Sequence, residues 1–139
     1  MQLTRDDIIN SMTRWEQAWN DHDIDGVMAL FHENVLFEHW YGTQVQGWEA
    51  LRRAWAPWFE RHGNFRFTTE DLIVDEADQK VLYAWLLEWP SLEKGYEGKL
   101  ERRRGVDVLH FREGRIAKKV SYSKTVLEID GQKVKLLPA

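Results

Sequence analysis

Cysteine is absent from this chain of 139 residues, which excludes disulfides, thiolate metal sites and cysteine nucleophiles. Long apolar runs are absent as well, and this argues against a membrane-spanning helix and a membrane partner. The first ten residues, MQLTRDDIIN, carry acids and lack the apolar core of a signal peptide. The length fits a single domain over residues 1–139, and we expect it to be cytoplasmic.

Basic residues do not outnumber acidic ones. Lys and Arg total 19 against 23 Asp and Glu, so the net charge of −4 is unfavourable for nucleic acid as a partner. The five histidines show neither an H-x-H nor an H-E-x-x-H spacing, and there is no phosphate-binding glycine loop, dinucleotide fingerprint or G-x-S-x-G elbow. The sequence therefore predicts no metal and no cofactor.

Tryptophan, by contrast, is abundant, with eight residues in the chain. An indole is large and has a polar edge, so an excess of indoles indicates an aromatic-walled cavity or an interface, with a heavy packed core as the alternative. The predicted ligand is small and hydrophobic. The side chains we expect to bind it are Trp15, Trp19, Trp40, Trp55, Trp58, Trp85 and, through its hydroxyl, Tyr122.

The first half of the chain has the pattern of helices. Thr4 and Asp7 resemble a capping box, and the apolar side chains that follow at spacings of four predict a helix over residues 5–20. Asp23 is a suitable cap for a second, short helix. A third apolar stripe predicts a helix closed by Gly63.

The second half has the two-residue period of strands. Strands are predicted over residues 35–41, 65–74, 81–89, 100–111, 116–129 and 134–137. Helices followed by strands predict an α+β fold, a cone-like curved antiparallel sheet packed on about three N-terminal helices and enclosing a pocket. A β-bulge at Gly105 would reverse the faces of the residues before it, so the direction of Arg104 and Asp107 stays open.

Four ordered segments resemble a known family. They are NDHD at 20–23, FHENV at 31–35, GWEALR at 47–52, and GVDVLHF at 105–111 with GRI at 114–116. Together they resemble the SnoaL-like branch of the nuclear transport factor 2-like superfamily over about residues 5–125. The resemblance implies a cone-shaped fold with an apolar cavity, frequently a homodimer through the outer sheet face. Its members include ketosteroid isomerase and polyketide cyclases, beside proteins that only bind ligands or other proteins.

The catalytic residues of these relatives are not retained. By this resemblance, the tyrosine and the aspartate base of ketosteroid isomerase fall on Trp15 and His39, and its oxyanion-binding acid falls on Arg104. The aspartate and the histidine of the polyketide cyclases fall on Ser121 and Asp107. Neither activity can therefore be transferred directly.

His39 and Asp107 occupy cavity-facing positions in these relatives, and we take them as candidate catalytic residues. A histidine titrating near neutral pH moves protons, a neighbouring carboxylate would orient it, and Arg104 could stabilise an enolate. This hypothesis describes a cofactor-independent isomerase, cyclase or hydrolase acting on a small hydrophobic carbonyl compound. In the alternatives His39 is a hydrogen-bonded packing residue and Asp107 is a structural partner of a neighbouring arginine or lysine. The chain is then a non-catalytic binding protein for a hydrophobic metabolite or a dimeric interaction module.

Overall fold

Three helices precede most of an eight-stranded sheet in the computed structural model, which describes residues 1–136. The helices are α1 (Arg5–Asn20), α2 (Ile24–Met28) and α3 (Trp48–Arg61). The strands are β1 (Phe31–Glu38), β2 (Gln44–Gln46), β3 (Arg66–Asp75), β4 (Lys80–Pro90), β5 (Leu100–Arg112), β6 (Arg115–Ser123), β7 (Val126–Ile129) and β8 (Gln132–Lys135). The predicted α+β class and the helices-on-sheet arrangement are confirmed.

The helix starts follow the predicted capping chemistry. The Thr4 hydroxyl accepts from the backbone N–H of Asp7 at 3.1 Å, and the Asp7 carboxylate accepts from the N–H of Thr4 at 3.0 Å. The Asp23 carboxylate accepts from the N–H of Gly26 at 2.9 Å and caps α2. Helix α3 continues past Pro57, which lies inside it.

The sheet is mixed rather than fully antiparallel. Its main order is β2-β1-β6-β5-β4-β3, with the β7–β8 hairpin joined to β5. Strand β1 pairs with β6 in the parallel direction. The prediction of an antiparallel sheet was wrong at this pair because α3 carries the chain from the β1–β2 edge to β3, and the β3–β6 meander then brings β6 back beside β1 in the same direction.

The predicted strand over 35–41 ends earlier than expected. Strand β1 stops at Glu38, and residues 39–43 form a turn in which the Gly42 N–H donates to the His39 carbonyl at 2.8 Å. The chain then returns as β2, a short strand that we had not predicted. His39 therefore lies in a turn at the end of β1 and not within a strand.

The predicted strand over 116–129 is divided into two strands. Strand β6 ends at Ser123, and β7 begins at Val126 and pairs with β5 beyond the end of β6. A tight turn at Asp130-Gly131 joins β7 to β8. Of the last predicted strand, over 134–137, residue 137 lies outside the described residues.

The core lies between the helices and the concave face of the sheet. Helix α1 packs on β3, and α3 packs on β1 and β2. The Trp15 ring stands edge-on to the Phe31 ring at 5.4 Å, and Ile8 and Leu51 are fully buried around them. Toward the open end of the concave face, large rings leave space between helix and sheet, and this space is the cavity described below.

Strand β5 has no bulge at Gly105. It pairs with β4 without a register shift from Lys80↔His110 to Pro90↔Leu100. Side-chain alternation therefore runs unbroken along β5, with Arg103 and Asp107 facing inward and Arg104 facing outward. The alternation of side chains along β5 therefore decides which of its charged side chains face the concave side of the sheet.

Gly105 leaves room for the ring of Trp85, so Gly105→Ala should destabilise the protein. A Cβ at residue 105 would meet the Tyr122 carbonyl oxygen and lie 2.5 Å from the Trp85 ring. We expect the free energy of unfolding to fall by about 2–3 kcal/mol, because a rigid backbone atom blocks relief of the clash. Urea denaturation measures this loss. The control is Val106→Ala on the opposite face, and an equal loss in both variants would contradict this packing.

Candidate functional site

A cavity of about 380 Å³ lies between helices α1 and α3 and the inner face of the sheet. Most of its wall is aromatic. The tryptophans singled out from the sequence all line it, namely Trp15, Trp19, Trp40, Trp55, Trp58 and Trp85. Phe37, Phe67 and Tyr83 add further rings. A space of this volume accommodates a small organic ligand and would bury most of its surface.

The wall is held by ring-to-ring packing. Trp19 contacts Trp55 edge-on at 5.0 Å, and Trp40 lies 5.9 Å from Trp85. Because α1 and α3 present their tryptophans at intervals of one helical turn, rings from both helices meet over the same part of the sheet. Such mutual contacts fix the shape of the cavity before any ligand enters.

One polar group interrupts this wall, on the neighbouring strands β5 and β6. Asp107 and Ser121 are paired in the register of the two strands, and Lys119 lies two residues before Ser121 on the same face. The Ser121 hydroxyl donates to Asp107 Oδ1 at 2.7 Å and accepts from Lys119 Nζ at 2.6 Å. Lys119 Nζ also lies 3.4 Å from Asp107 Oδ1. We call these three residues the polar triad.

The polar triad is almost completely buried. The relative exposures are 4% for Asp107, 7% for Lys119 and 4% for Ser121. Lys119 Nζ lies 4.7 Å from the ring centre of Phe37 and 5.7 Å from that of Trp55. Burial lowers the pKa of Lys119, and the charge and hydrogen bond of Asp107 oppose that shift. Nothing in the sequence pattern had singled out Lys119.

His39 lines the same cavity, in a different chemical state from the one expected. Its Nδ1 accepts from the Tyr41 N–H at 3.2 Å, which places the proton of the neutral ring on Nε2. Burial, with the nearby charges of Lys119 and Arg103, lowers the pKa of His39 to about 4. The ring is therefore neutral at pH 7 and offers a hydrogen-bond donor. The expected titration near neutral pH is corrected accordingly.

Asp107 does not orient His39. Both side chains line the cavity, yet the hydrogen bonds of Asp107 go to the polar triad and no hydrogen bond joins it to His39. The end of β1 supplies His39, whereas Asp107 comes from the middle of β5. The expected His39–Asp107 pair is replaced by an Asp107–Ser121–Lys119 group and a separate histidine.

Acid should destabilise the fold through His39. The unfolded ring titrates near 6.5 and the folded ring near 4, so the unfolded state binds more protons between these values. The stability that the neutral His39 ring contributes to the fold is fully present above pH 6.5. It decreases as the pH falls below 6.5 and is lost once the pH has fallen through 4. The full shift would be worth about 3 kcal/mol, and partial solvent exposure of the ring reduces our expectation to about 1–2 kcal/mol.

The measurement is urea denaturation of the wild type and His39→Gln at pH 7 and pH 4.5. His62 and His110, whose pKa values are also lowered mainly by burial, remain in both proteins and cancel in the comparison. We expect the variant to lose less stability on acidification than the wild type. Equal losses in the two proteins would show that His39 is not protected from protonation.

Tyr122 and Arg104 do not line the cavity, contrary to expectation. Tyr122 is 55% exposed and pairs across the sheet with Val106, whose side chain lies on the outer face. The Arg104 guanidinium donates to Glu70 at 3.0 Å, also on the outer face. Arg104 and Tyr122 are each an odd number of residues away from the inward-facing residue on their own strand, Asp107 or Ser121. Because successive side chains of a strand point to opposite faces, both lie on the outer face of the sheet.

Arg103 is the inward arginine of the triplet at 102–104, and the sequence had not identified it. It is 1% exposed, and its Nε donates to Glu101 at 3.0 Å. Glu101, which is fully buried, also accepts from Trp89 Nε1 at 2.6 Å. The Arg103 guanidinium lies 4.8 Å from the ring centre of Trp40. The buried Arg103–Glu101 pair therefore packs against the ring of Trp40.

Several indole N–H groups of the cavity wall have no hydrogen-bond partner. They belong to Trp19, Trp40, Trp58 and Trp85, and all four nitrogens are buried. Buried donors normally have partners, and an unpaired one costs about 1–3 kcal/mol. Because these four nitrogens have almost no accessible surface, a ligand in the cavity would reach them only after a shift of the rings.

Residues 1–136 contain no group of three histidine, aspartate or glutamate side chains arranged to hold a metal ion. Within the same described part of the chain, no helix is long and apolar enough to span a membrane.

The family assignment follows from comparison with known proteins. The profile of the SnoaL-like domain matches residues 12–119. This chain belongs to the SnoaL-like family. The resemblance seen in the sequence segments is therefore confirmed over most of its range. A comparison with curated proteins gives no significant match.

Solved structures share the SnoaL-like fold. TerC co-crystallised with polyporic acid is 18% identical, with a TM-score of 0.71, over 86% of this chain and 92% of its own. A proposed polyketide cyclase from Xanthomonas campestris pv. campestris is 19% identical, with a TM-score of 0.68, over 86% and 92%. A protein from Catenulispora acidiphila with a ketosteroid isomerase-like fold, in complex with trimethylamine, is 18% identical, with a TM-score of 0.68, over 81% and 83%. At these identities the comparison shows the fold alone.

Proposed function

We propose that this SnoaL-like protein binds a small, flat carbonyl compound in its aromatic cavity and transfers a proton at the carbon beside the carbonyl. The observation that carries the proposal is the polar triad, a buried carboxylate, hydroxyl and ammonium in a mostly aromatic wall. Buried charges are costly and are concentrated where chemistry uses them. No metal or cofactor is required for such a transfer.

In this proposal Asp107 is the proton acceptor. Its Oδ1 is held by the Ser121 hydroxyl, while the Lys119 ammonium balances its charge at 3.4 Å. The second carboxylate oxygen takes no part in these contacts and is available to a ligand. A carboxylate fixed in this way in a dry cavity acts as a general base once a C–H bond lies within reach.

The ligand oxygen would be held by His39, which lines the cavity and offers its Nε2–H as a donor. This hydrogen bond would stabilise the negative charge that develops on a carbonyl oxygen during proton removal. A neutral imidazole suits this role, since it donates without giving up its proton.

The His39 donor argues against an alkylammonium ligand, although aromatic boxes do bind such cations. An alkylammonium ligand has no acceptor for the Nε2–H of His39, and Lys119 already places a cation over Phe37. Among the similar structures, one complex holds polyporic acid and another trimethylamine. The donor set here favours an oxygen-bearing ligand of the first kind.

A non-catalytic binding protein is the second candidate. It is favoured by the loss of the relatives' catalytic residues and by the protonated Nε2 of His39, which cannot accept a proton at neutral pH. Both candidates require ligand binding, but only the enzyme requires the carboxylate of Asp107 for turnover. The Asp107→Asn experiment in the Discussion separates them.

Binding is tested by titrating the protein with 2-tetralone, a flat bicyclic ketone, and with tetralin, which lacks the oxygen. We expect 2-tetralone to quench the tryptophan fluorescence and to bind about five- to tenfold more tightly than tetralin, because one hydrogen bond is worth about 1–1.5 kcal/mol. Trp48, which lies outside the cavity lining, should contribute an unchanged background. Equal affinity for the two compounds would contradict the proposed recognition of oxygen.

The expected homodimer remains a prediction. The outer face of the sheet exposes the apolar side chains of Tyr122 and Ile73 near the outward-facing Arg104–Glu70 ion pair. We propose that a second copy covers this face. Light scattering of Tyr122→Glu beside the wild type should show a shift to monomer, and a wild-type monomer would contradict it.

A further inference from the structure

Lys119 is a buried amine in the cavity wall, and the proton transfer proposed above uses only its charge. Its Nζ contacts Ser121 and Asp107 on one side, at 2.6 and 3.4 Å, and lies over the rings of Phe37 and Trp55 on the other. A ligand carbonyl held in this cavity would lie beside a primary amine shielded from water.

We propose that Lys119 forms a Schiff base with the carbonyl carbon of the bound ligand, and that the resulting iminium accepts the electron pair when Asp107 removes the neighbouring proton. This inference rests on the proposed function, because it needs a carbonyl ligand in the cavity. It also narrows the ligand class to unhindered ketones and aldehydes, since esters and amides do not form stable imines.

The surroundings of Lys119 suit nucleophilic chemistry. An amine attacks only in its neutral form, and lysines desolvated in apolar sites are the ones that form Schiff bases. Burial lowers the pKa of Lys119 and so favours the neutral amine. Asp107, 3.4 Å away, accepts the proton that the ammonium must release, directly or through the Ser121 hydroxyl.

The step balances without another reactant. The amine lone pair forms the C–N bond, the carbonyl π pair moves to oxygen, and the C–O bond then breaks as the C=N bond forms. Of the three ammonium protons of Lys119, two pass by way of Asp107 to the oxygen and leave with it as water, which returns Asp107 to its carboxylate form, and one stays on the iminium nitrogen. Asp107 then takes the proton of the adjacent carbon, and the C–H pair becomes the enamine double bond. Reprotonation of carbon and hydrolysis return the free lysine.

The experiment traps the imine in the full chain. The protein is incubated with 2-tetralone and sodium cyanoborohydride, and the adduct is measured by intact mass and located by peptide mapping. We expect one adduct, heavier by one probe molecule less one oxygen atom, on Lys119. The exposed neighbour Lys118 is the internal control for surface reaction. Lys119→Arg keeps the positive charge beside Asp107 but cannot form an imine, and should give no adduct.

The outcomes separate this inference from the proposed function. Suppose that 2-tetralone quenches the tryptophan fluorescence and exchanges its C–H proton but leaves no adduct on Lys119. This result would contradict the Schiff base and would still support the proton transfer by Asp107. Equal labelling of Lys118 and Lys119 would also overturn it. In folded Lys119→Arg we expect exchange to fall by at least about tenfold, and an unchanged rate would remove the iminium from the pathway. With neither quenching, exchange nor adduct, both proposals fail.

Discussion

Arg103→Met should lower the free energy of unfolding by about 3–5 kcal/mol, whereas Arg104→Met should lower it by less than about 1 kcal/mol. The two arginines are adjacent in sequence and differ in the face of β5 that they occupy. Removing Arg103 leaves the fully buried carboxylate of Glu101 without its cation. Removing Arg104 breaks only a half-exposed pair with Glu70.

Urea denaturation of the wild type and the two variants at pH 7 measures this difference. Arg103 also pairs with Glu93 in the loop after β4 and lies over Trp40, so its loss should loosen the cavity wall as well. Near-ultraviolet circular dichroism of the tryptophans should then change in Arg103→Met and stay constant in Arg104→Met. If the two variants lose similar stability, the assignment of inner and outer faces along β5 is wrong.

Asp107→Asn should slow the C1–H exchange of 2-tetralone by about 10²–10⁴-fold in deuterated buffer, the usual contribution of a general base. The amide has nearly the same shape as the carboxylate but does not accept a proton at neutral pH. Proton NMR of the probe follows the exchange directly, so the natural substrate is not needed. Fluorescence titration of the same variant should show 2-tetralone binding within about threefold of the wild type.

Glu70→Gln provides the matched control for this experiment. It removes a carboxylate from the outer face and should leave the exchange rate unchanged. A folded Asp107→Asn that exchanges the probe as fast as the wild type would contradict the catalytic proposal and favour the binding protein. Loss of binding in Asp107→Asn would show instead that the carboxylate recognises the ligand.

The sequence predicted the features that depend on residues close together in the chain, such as helix starts. The capping box at Thr4 and the cap at Asp23 set the starts of α1 and α2. The excess of tryptophan indicated an aromatic-walled cavity or an interface, and the four indoles at helical spacing, Trp15, Trp19, Trp55 and Trp58, line the cavity. Each of these features depends on residues within a few positions of one another.

Features that depend on distant pairings were missed. The parallel contact of β1 with β6 depends on where α3 delivers the chain, and no local pattern encodes it. The environment of Lys119 is likewise fixed by pairing between β5 and β6, and without that register the lysine resembled a solvated strand residue. His39 was misplaced because the turn that ends β1 consists of residues that also fit a strand.

The acid in the cavity wall is not at the position that the resemblance to polyketide cyclases implies. By resemblance to the polyketide cyclases, a catalytic aspartate would stand at Ser121 and a histidine at Asp107. Here the acid stands on β5, and the residue paired with it on β6 is a serine whose hydroxyl donates to it at 2.7 Å. In this chain β5 therefore supplies the carboxylate of the cavity wall, and β6 supplies a hydroxyl that binds it.

A crystal structure of Asp107→Asn in complex with 2-tetralone would test the central claim most directly. We predict the ring system between the tryptophans, the oxygen within hydrogen-bond distance of His39 Nε2, and C1 about 3–3.5 Å from the side chain at 107. A ligand bound outside the cavity, or bound inside with its acidic C–H bond turned away from residue 107, would contradict the proposal that Asp107 acts on a carbonyl ligand held in the aromatic cavity.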